Sequence, residues 1–364
     1  MAALAFAVDR IPIPTAPHAA GWEDFAASVE VRNAVEAAAY GNDELSLTAQ
    51  EVLPGWLDQE HAPKQLLVAL VGGRVVARAV YETLPEASAR VAWLSVEVLP
   101  EYRRRGIGTA LTDAVESIAG SEGRNTLLVY AAAAAAELPG GRMSAPTGYG
   151  SLPLADPGVA FLVKRGYRLE QVERGSRLAL PADPDLLDSL YSETTARAGD
   201  EYRVHLWTDR TPSTWRSDMA TLYTRMSTDA PTAGLQEPED IWTVERLVVN
   251  EELHAKSPRT TLVAAAEHVA SGRLAGFSEL SVPVELTRAV SQEDTLVLRE
   301  HRGHRLGMLV KLANLRQLAD VAPGHPSVMT FNAEENRYML DVNEALGFVP
   351  IGYEGGWKRV VPAS

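Results

Sequence analysis

Short apolar runs alternate along the chain with longer segments in which apolar residues recur at helical spacing. In the first half, runs typical of strands cover residues 65–71, 74–83, 91–99 and 126–130. The pair Gly72-Gly73 separates the first two runs, as in a tight hairpin turn. Helical spacing covers residues 22–41, 48–57 and 159–165 and begins again at Ile107. This half therefore predicts strands mixed with helices.

The same order returns in the second half of the chain. Strand-like runs cover residues 202–207, 261–266, 274–282, 295–298 and 328–331, and helical spacing covers 215–226, 334–346 and a segment from 306. Arg302 follows Arg103 by 199 residues, whereas Gly347 follows Gly166 by 181, so the first half holds 18 extra residues. These fall within 131–156, a Gly- and Pro-rich stretch typical of an inserted loop. A fused duplication is the simplest explanation.

The domain organisation follows from this repeat. The polar segment 181–201, with two early prolines, has the composition of a boundary. We therefore predict an α/β fold of two tandem units, 1–180 and 202–364, with 181–201 as the linker. Each unit is expected to be a mixed twisted sheet flanked by helices.

Composition narrows the classes of function. The chain has 34 basic and 48 acidic residues, a formal net charge of -14, so nucleic acid and membrane surfaces are not expected as partners. It has 0 cysteines, which excludes disulfides, thiolate catalysis and cysteine metal sites. No apolar run reaches the roughly 18 residues of a membrane span, and no signal peptide is evident, so we expect a cytoplasmic protein. The acidic excess could favour a cationic substrate, although solubility alone is the commoner reason.

The segment after the third strand carries the main chemical signal. It reads Val98-Leu99-Pro100-Glu101-Tyr102-Arg103-Arg104-Arg105-Gly106-Ile107-Gly108 and runs into a helix. A helix start has unpaired amide groups and partial positive charge, so it binds phosphate, and glycines let the backbone approach closely. A dinucleotide fingerprint would need a third glycine where Leu111 stands, and a P-loop would need Gly-Lys-Ser/Thr. Neither motif is present.

This segment resembles the pyrophosphate loop of the GNAT N-acetyltransferase superfamily, Gln/Arg-x-x-Gly-x-Gly/Ala after a Val-x-Pro strand end. The resemblance implies two GNAT-like domains and acetyl-CoA as co-substrate, with its pyrophosphate on the loop. In the first half the implied cofactor-binding residues are Val98, Arg103, Arg104, Arg105, Gly106, Ile107, Gly108 and Thr109. In the second half they are Val297, Arg302, Gly303, His304, Arg305, Leu306, Gly307, Met308, Asn332 and Asn336.

The two halves depart from the family pattern in different places. Arg305 replaces the first loop glycine of the second half, which predicts a narrower or altered loop. Asn343 stands where the family usually has a tyrosine that protonates the departing thiolate, and an amide can donate a hydrogen bond but not a proton. The first half has Leu162 at that place. The helix predicted over residues 334–346 keeps more of the family pattern than its counterpart in the first half, and duplicated members such as mycothiol synthase resemble this chain in plan. We therefore expect catalysis in the second half.

The reaction implied is direct attack of a small-molecule amine on acetyl-CoA in a ternary complex. Many family members use a glutamate on the strand before the loop as the base that deprotonates the amine. Counting back from Arg302 makes Glu293 the candidate base, with Glu279 on the neighbouring strand in reserve and a solvated surface carboxylate as the alternative for both. No metal is required. A non-catalytic acyl-CoA-binding protein remains the alternative function, and the sequence leaves the acceptor and the oligomeric state open.

Overall fold

The computed structural model describes residues 4–85, 90–134 and 138–362. Part of the predicted insertion, residues 135–137, lies outside them. The helices are α1 (Trp22–Tyr40), α2 (Ala49–Leu57), α3 (Ile107–Ser121), α4 (Pro157–Lys164), α5 (Pro184–Ala198), α6 (Arg216–Asp229), α7 (Val244–His254), α8 (Leu306–Val321) and α9 (Arg337–Ala345).

The strands of the first half are β1 (Ala7–Ile11), β2 (Lys64–Val71), β3 (Arg74–Glu82), β4 (Val91–Val98), β5 (Thr126–Ala133), β6 (Arg142–Ser144), β7 (Ser151–Pro153) and β8 (Arg168–Ala179). Those of the second half are β9 (Tyr202–Thr208), β10 (Thr260–His268), β11 (Arg273–Val282), β12 (Val290–Val297), β13 (Ser327–Ala333) and β14 (Val349–Val360). The short strands β6 and β7 pair only with each other, and the other 12 form one sheet.

Local sequence explains why several elements begin and end where they do. Gly72 and Gly73 take φ values of 57° and 81°, which the tight turn between β2 and β3 requires. Thr48 and Glu51 form a reciprocal capping box at the start of α2. These local signals are why the predicted hairpin and the predicted helix are found with nearly the expected bounds.

The sheet joins the two halves by an exchange of their last strands. Its order is β1-β2-β3-β4-β5-β14-β8-β13-β12-β11-β10-β9. Strand β14, from the second half, pairs with β5 of the first half, and β8, from the first half, pairs with β13 of the second. The two exchanged strands also pair antiparallel with each other. Neither half therefore completes its sheet with its own last strand.

The helices cover both sides of this sheet. Helices α1 and α3 pack against β3, in which Val75, Val76 and Ala77 are consecutive buried residues, so both of its faces are covered. Helix α8 packs against β10 and β11 in the second half. The predicted mixed α/β architecture is confirmed, and the single continuous sheet is the feature that the sequence pattern did not predict.

Residues 184–198 of the predicted linker form helix α5. Asp183 caps it by accepting hydrogen bonds from the amides of Asp185 and Leu186, and Pro184 occupies its first position. The helix packs against α8, where the guanidinium of Arg316 lies 3.7 Å from the centre of the Tyr191 ring. The segment between the halves is therefore a packed helix.

A buried ion pair also connects the two halves. Arg288, just before β12, donates to Glu51 Oε2 at 2.6 Å and to Glu51 Oε1 at 2.7 Å. Burial acts to raise the pKa of Glu51, but hydrogen bonds from Arg288 and from the Thr48 amide hold it below its usual range. Together with the exchanged strands, this contact makes each half depend on the other.

We predict that Trp357→Ala in β14 destabilises the core of the first half. Trp357 is fully buried there, so its loss should lower the free energy of unfolding by about 3–5 kcal/mol. Urea denaturation measures the change, with Val360→Ala, 54% exposed on the same strand, as control. A loss no larger than that of the control would contradict a structural role for β14 in that core.

Candidate functional site

The loop that follows β4 folds back on the end of its own strand. A short 3-10 turn over Pro100–Tyr102 leads into Arg103, whose Nε donates to the carbonyl oxygen of Val98 at 3.0 Å. Arg104 and Gly106 have φ values of 63° and 86°, so the chain turns twice through left-handed backbone before α3 begins. This geometry aims the start of α3 at the end of β4.

The start of α3 is an open anion-binding site. Gly106 is its N-cap and supplies no side-chain hydrogen bond, so the first amides of the helix keep their donors free. A Cβ on Gly108 would lie 3.6 Å from Val98 Cγ2, so the helix packs closely on the strand end. Arg104 and Arg105 are exposed and form no ion pair within the described residues. Free amides, the helix dipole and two unpaired cations together favour a phosphate group.

Strands β4 and β5 part next to this helix start. They pair in parallel only at Val91–Thr126, Ala92–Leu127 and Trp93–Leu128. Beyond these pairs a cavity of about 630 Å³ opens between the strands and reaches the loop. It is lined on one side by residues 94–98 and on the other by 129–132. Unpaired backbone groups of both strands therefore face a ligand-sized space.

Of the residues predicted to bind the cofactor in the first half, those that line this cavity are Val98, Arg103, Arg104, Gly106, Gly108 and Thr109. The side chain of Ile107 is buried in the core instead and anchors the helix. Arg105 lies 5.8 Å from the centre of the Tyr102 ring. The structure thus brings most of the predicted residues together at one end of the cavity.

The opposite wall of the cavity, at the start of α4, was not predicted from the sequence. Asp156 accepts hydrogen bonds from the amides of Gly158 at 2.8 Å and Val159 at 3.1 Å, and from the amide of Ala134 at 3.1 Å. It thereby fixes α4 to the end of β5. The 181-residue offset between Gly166 and Gly347 places Asn336 opposite Ala155, whereas the caps of α9 and α4 are Asn336 and Asp156. The two caps are one residue out of step with that offset, so Asp156 is not recognised from the sequence as the residue equivalent to Asn336.

The second-half loop repeats the backbone of the first. Arg302 Nε donates to the carbonyl oxygen of Val297 at 3.2 Å, as Arg103 does to Val98. Gly303 and Arg305 have φ values of 90° and 58°, so the left-handed positions are kept although glycine and arginine have changed places. The expected narrowing at Arg305 is therefore absent from the backbone path, and the difference lies in the side chains.

The arginines of the second loop are already paired with carboxylates. Arg302 Nη2 lies 3.0 Å and Arg299 Nε 3.2 Å from Asp229 Oδ2. Arg305 Nη1 lies 2.6 Å from Glu193 Oε1. A diphosphate at this loop would have to compete with both carboxylates. At the first loop, Arg104 and Arg105 have no carboxylate partner among the described residues, so a diphosphate would displace none.

The polar side chains in and next to α9, the late helix of the second half, form hydrogen bonds within the protein. Asn336 accepts from the amide of Met339 at 3.4 Å and so caps α9. Asn343 is buried, accepts from Lys311 Nζ at 2.9 Å and donates to Asn332 Oδ1 at 2.7 Å. Burial lowers the pKa of Lys311 to about 7. Hydrogen bonds within the protein thus occupy Asn332, Asn336 and Asn343.

Among the other predicted residues, Leu306 and Met308 are buried, and the ring of His304 lies 5.1 Å from that of Tyr202.

The predicted base and its reserve lie close together in a recess of the second half. Burial raises the pKa of Glu279 to about 8, although a hydrogen bond from the Tyr223 hydroxyl at 2.7 Å acts in the opposite direction. Glu293 keeps exposed surface, but desolvation by the surrounding protein raises its pKa, opposed by Arg259. A bulge where β12 pairs with β11 brings Glu293 and Asp294 opposite Glu279. Raised carboxyl pKa values suit proton acceptance near neutral pH.

A second acidic group, which the sequence analysis missed, lies beside the first-half cavity. Glu354 of β14 is opposite Ala132 of β5 and Glu173 of β8, so the three side chains share one face. Burial and the charge of Glu36 raise the pKa of Glu354 to about 7, and Tyr40 donates to it at 2.6 Å. Burial, then Glu354, raises the pKa of Glu173 to about 7. Glu173 and Glu354 are 181 residues apart, on the two exchanged strands, so no sequence pattern indicates that they are neighbours.

Comparison with known proteins identifies the class to which this site belongs. Residues 31–138, which hold the free loop and strands β2 to β5, match the model of the acetyltransferase (GNAT) family. This segment of the first half therefore matches the GNAT acetyltransferase family, and the resemblance drawn from the loop motif is confirmed. Among curated proteins, none matches the chain significantly.

Solved structures show that the whole fold is a tandem GNAT fold. A tandem GNAT protein from the clavulanic acid biosynthesis pathway is 24% identical, with a TM-score of 0.70 over 98% of this chain and 100% of that one. A GNAT protein from Sphaerobacter thermophilus is 14% identical, with a TM-score of 0.59 over 98% and 95%. A glucosamine N-acetyltransferase region of a fungal GH3 β-N-acetylglucosaminidase is 15% identical, with a TM-score of 0.58 over 98% and 38%.

No helix in the described ranges has both the length and the apolar character that crossing a bilayer requires. In the same part of the chain, no three histidine or carboxylate side chains are grouped to hold a metal ion.

We predict that Gly108→Asp weakens binding of coenzyme A. The new Cβ fits, and an acidic residue in the first helical turn does not destabilise the helix, but its charge repels a diphosphate. Isothermal titration calorimetry should show the Kd rising roughly ten- to hundredfold, the value of a charge-assisted contact. Gly108→Asn, similar in size but neutral, is the control and should change the Kd much less. Equal values for the two variants would contradict diphosphate binding at this loop.

Proposed function

We propose that this protein transfers an acetyl group from acetyl-CoA to the amine of a small molecule, by direct attack in a ternary complex, in its first half. The observation that carries the proposal is the 630 Å³ cavity between β4 and β5, which ends at the unpaired loop before α3. The residues there fit the co-substrate. The free amides and Arg104 would hold its diphosphate, and the parted strands would take its pantetheine arm.

The protein's own groups would then bind and orient the acceptor amine and remove a proton from it. The attacking amine must first lose a proton, because the ammonium form has no lone pair. As the nitrogen–carbon bond forms and the carbon–sulfur bond breaks, a second proton goes from the nitrogen to the leaving thiolate. Attack by the amine itself suits a chain with 0 cysteines to carry an acyl group.

We propose Glu354 as the base in the first half. Its register partner Ala132 lines the cavity, and Glu36, whose charge acts on it, lines the cavity from α1. A carboxyl with a pKa of about 7 is about half ionised at neutral pH and binds a proton more strongly than an ordinary glutamate. Strand β14 thus brings a second-half residue to first-half chemistry.

The second half is the alternative location for catalysis, and its late helix favoured it in the sequence. Glu293 is the proposed base there and Glu279 its reserve. We rank this half lower because Asp229 and Glu193 occupy the arginines of its loop, and because Asn343 is buried between Lys311 and Asn332. In this proposal the second half supports the first.

A non-catalytic acyl-CoA-binding protein is the alternative function. Leu162 lines the first-half cavity where the family has its proton-donating tyrosine. Tyr167 lines the same cavity, but its hydroxyl donates to Glu116 at 2.9 Å, and burial raises its pKa. Tight binding of coenzyme A without turnover of any amine would favour this alternative.

We predict that Gly108→Asp and Gly307→Asp have unequal effects on turnover. The two glycines occupy the second position of α3 and of α8, and neither has a positive φ; Gly307 is buried and Gly108 partly buried, so thermal unfolding checks that both variants are folded. Thiol release from acetyl-CoA with a panel of primary amines measures turnover, without background from the protein because it has 0 cysteines. At subsaturating acetyl-CoA, Gly108→Asp should lower the rate at least about tenfold, and Gly307→Asp should leave it near the parent value. The opposite order would move catalysis to the second half.

We predict that Glu354→Gln removes a pH dependence centred near 7. In the parent, kcat should fall as the pH drops through about 7, because the protonated carboxyl cannot accept a proton. The variant should lose this inflection and about 10²–10⁴ of kcat. Glu293→Gln is the control and should keep the parent profile. If Glu293→Gln loses the inflection and Glu354→Gln keeps it, the base is Glu293.

A further inference from the structure

A second cavity meets the cofactor cavity where β4 and β5 part. It measures about 380 Å³ and shares Leu94, Ser95 and Tyr130 with the 630 Å³ cavity. Its far wall comes from the second half, from Ser227 and residues 237, 238 and 240. A ligand in this cavity would therefore approach the parted strands from the side opposite the free loop.

The wall contributed by the second half carries a carboxylate held by neutral donors. Glu237 Oε1 accepts from the Tyr130 hydroxyl at 2.9 Å and from Trp93 Nε1 at 3.2 Å. Its Oε2 makes no hydrogen bond or ion pair within the part of the chain that the structure describes. The other carboxylates of this cavity are paired, Glu82 with Lys64 and Asp240 with Arg246. Glu237 is thus fixed in position and forms no ion pair among the described residues, and Lys358, the cation that contacts this segment, uses its Nζ on Gly234 O and Gln236 Oε1.

Two further carboxyl groups lie near Glu237. Glu173 lies within electrostatic range of Glu237 and is enclosed by protein, and its carboxyl group has no hydrogen bond or ion pair among the described residues. Glu335 also acts on Glu173, and its buried Oε2 has no partner. Buried carboxylate oxygens without partners are costly, so a cation supplied from outside would stabilise them.

We propose that the 380 Å³ cavity is the acceptor site of the first half and that Glu237 binds an ammonium group of an acceptor with a second positive charge besides the reacting amine. This inference rests on the proposed function, and it names the substrate class as small diamines and related polycations. The neutral donors on Oε1 orient the carboxylate, and Oε2 receives the ammonium. The second half then determines specificity for the first.

Three acceptors matched in length test the charge requirement. They are 1,4-diaminobutane, 4-aminobutan-1-ol and 4-aminobutanoate, whose far groups are cationic, neutral and anionic. The parent should give kcat/KM values in that order, with the diamine ahead of the alcohol by roughly tenfold or more. Glu237→Gln keeps the shape of the side chain and should remove most of that advantage, with little effect on the alcohol. Glu239→Gln, an exposed neighbour on the same segment, is the control.

A binding measurement separates failure of this inference from failure of the proposed function. Titration of 1,4-diaminobutane into the coenzyme A complex, followed by ligand-observed NMR, should show binding to the parent and to Glu239→Gln and a Kd roughly tenfold or more higher for Glu237→Gln. Thermal unfolding of each variant checks that it is folded. Equal binding by all three proteins, or equal loss for all three acceptors, would overturn the inference. Normal diamine binding without turnover would leave the cation site standing and reject the acetyl transfer.

Discussion

The early parting of β4 and β5 is the constraint on which the candidate site depends. The strands pair at only three positions, and the backbone groups beyond them need partners from elsewhere. Helix α3 begins at the same place, with amides that no side chain caps and two arginines free of carboxylates within the described residues. A long ligand with a diphosphate at one end can satisfy both the strands and the helix start. The cavity between them is therefore the centre of this account.

Because the two halves exchange their last strands, residues of the second half lie at the candidate site of the first half, and the two halves are not equivalent. Strand β14 completes the first-half sheet and brings Glu354 beside the first cavity. The segment after α6 brings Glu237 to the second cavity. In the second half the repeated loop keeps its backbone, but Asp229 and Glu193 occupy its arginines. The two loops thus share a backbone path and differ in the pairing of their charged side chains.

How far the sequence predicts this molecule depends on how local each feature is. The hairpin at Gly72, the loop before α3 and the cap of α2 are set by neighbouring residues, and their patterns were evident. Strands β8 and β14 were not predicted, because each is rich in charged residues or glycine and neither contains an apolar run. Gly175 of β8 is needed because a Cβ there would lie 2.9 Å from Phe331 Cε1, a contact between distant parts of the chain. For the same reason the pairing of Arg302 with Asp229, 73 residues away, left no pattern in the sequence.

The central claim is that coenzyme A binds at the start of α3 and not at the start of α8. Hydrogen–deuterium exchange tests it directly, because the amides that would bind the diphosphate are the ones whose exchange the ligand slows. On addition of coenzyme A, the account predicts slower exchange for the amides of residues 106–112 and unchanged exchange for those of residues 305–311. Protection of the second segment with the first unchanged would contradict it.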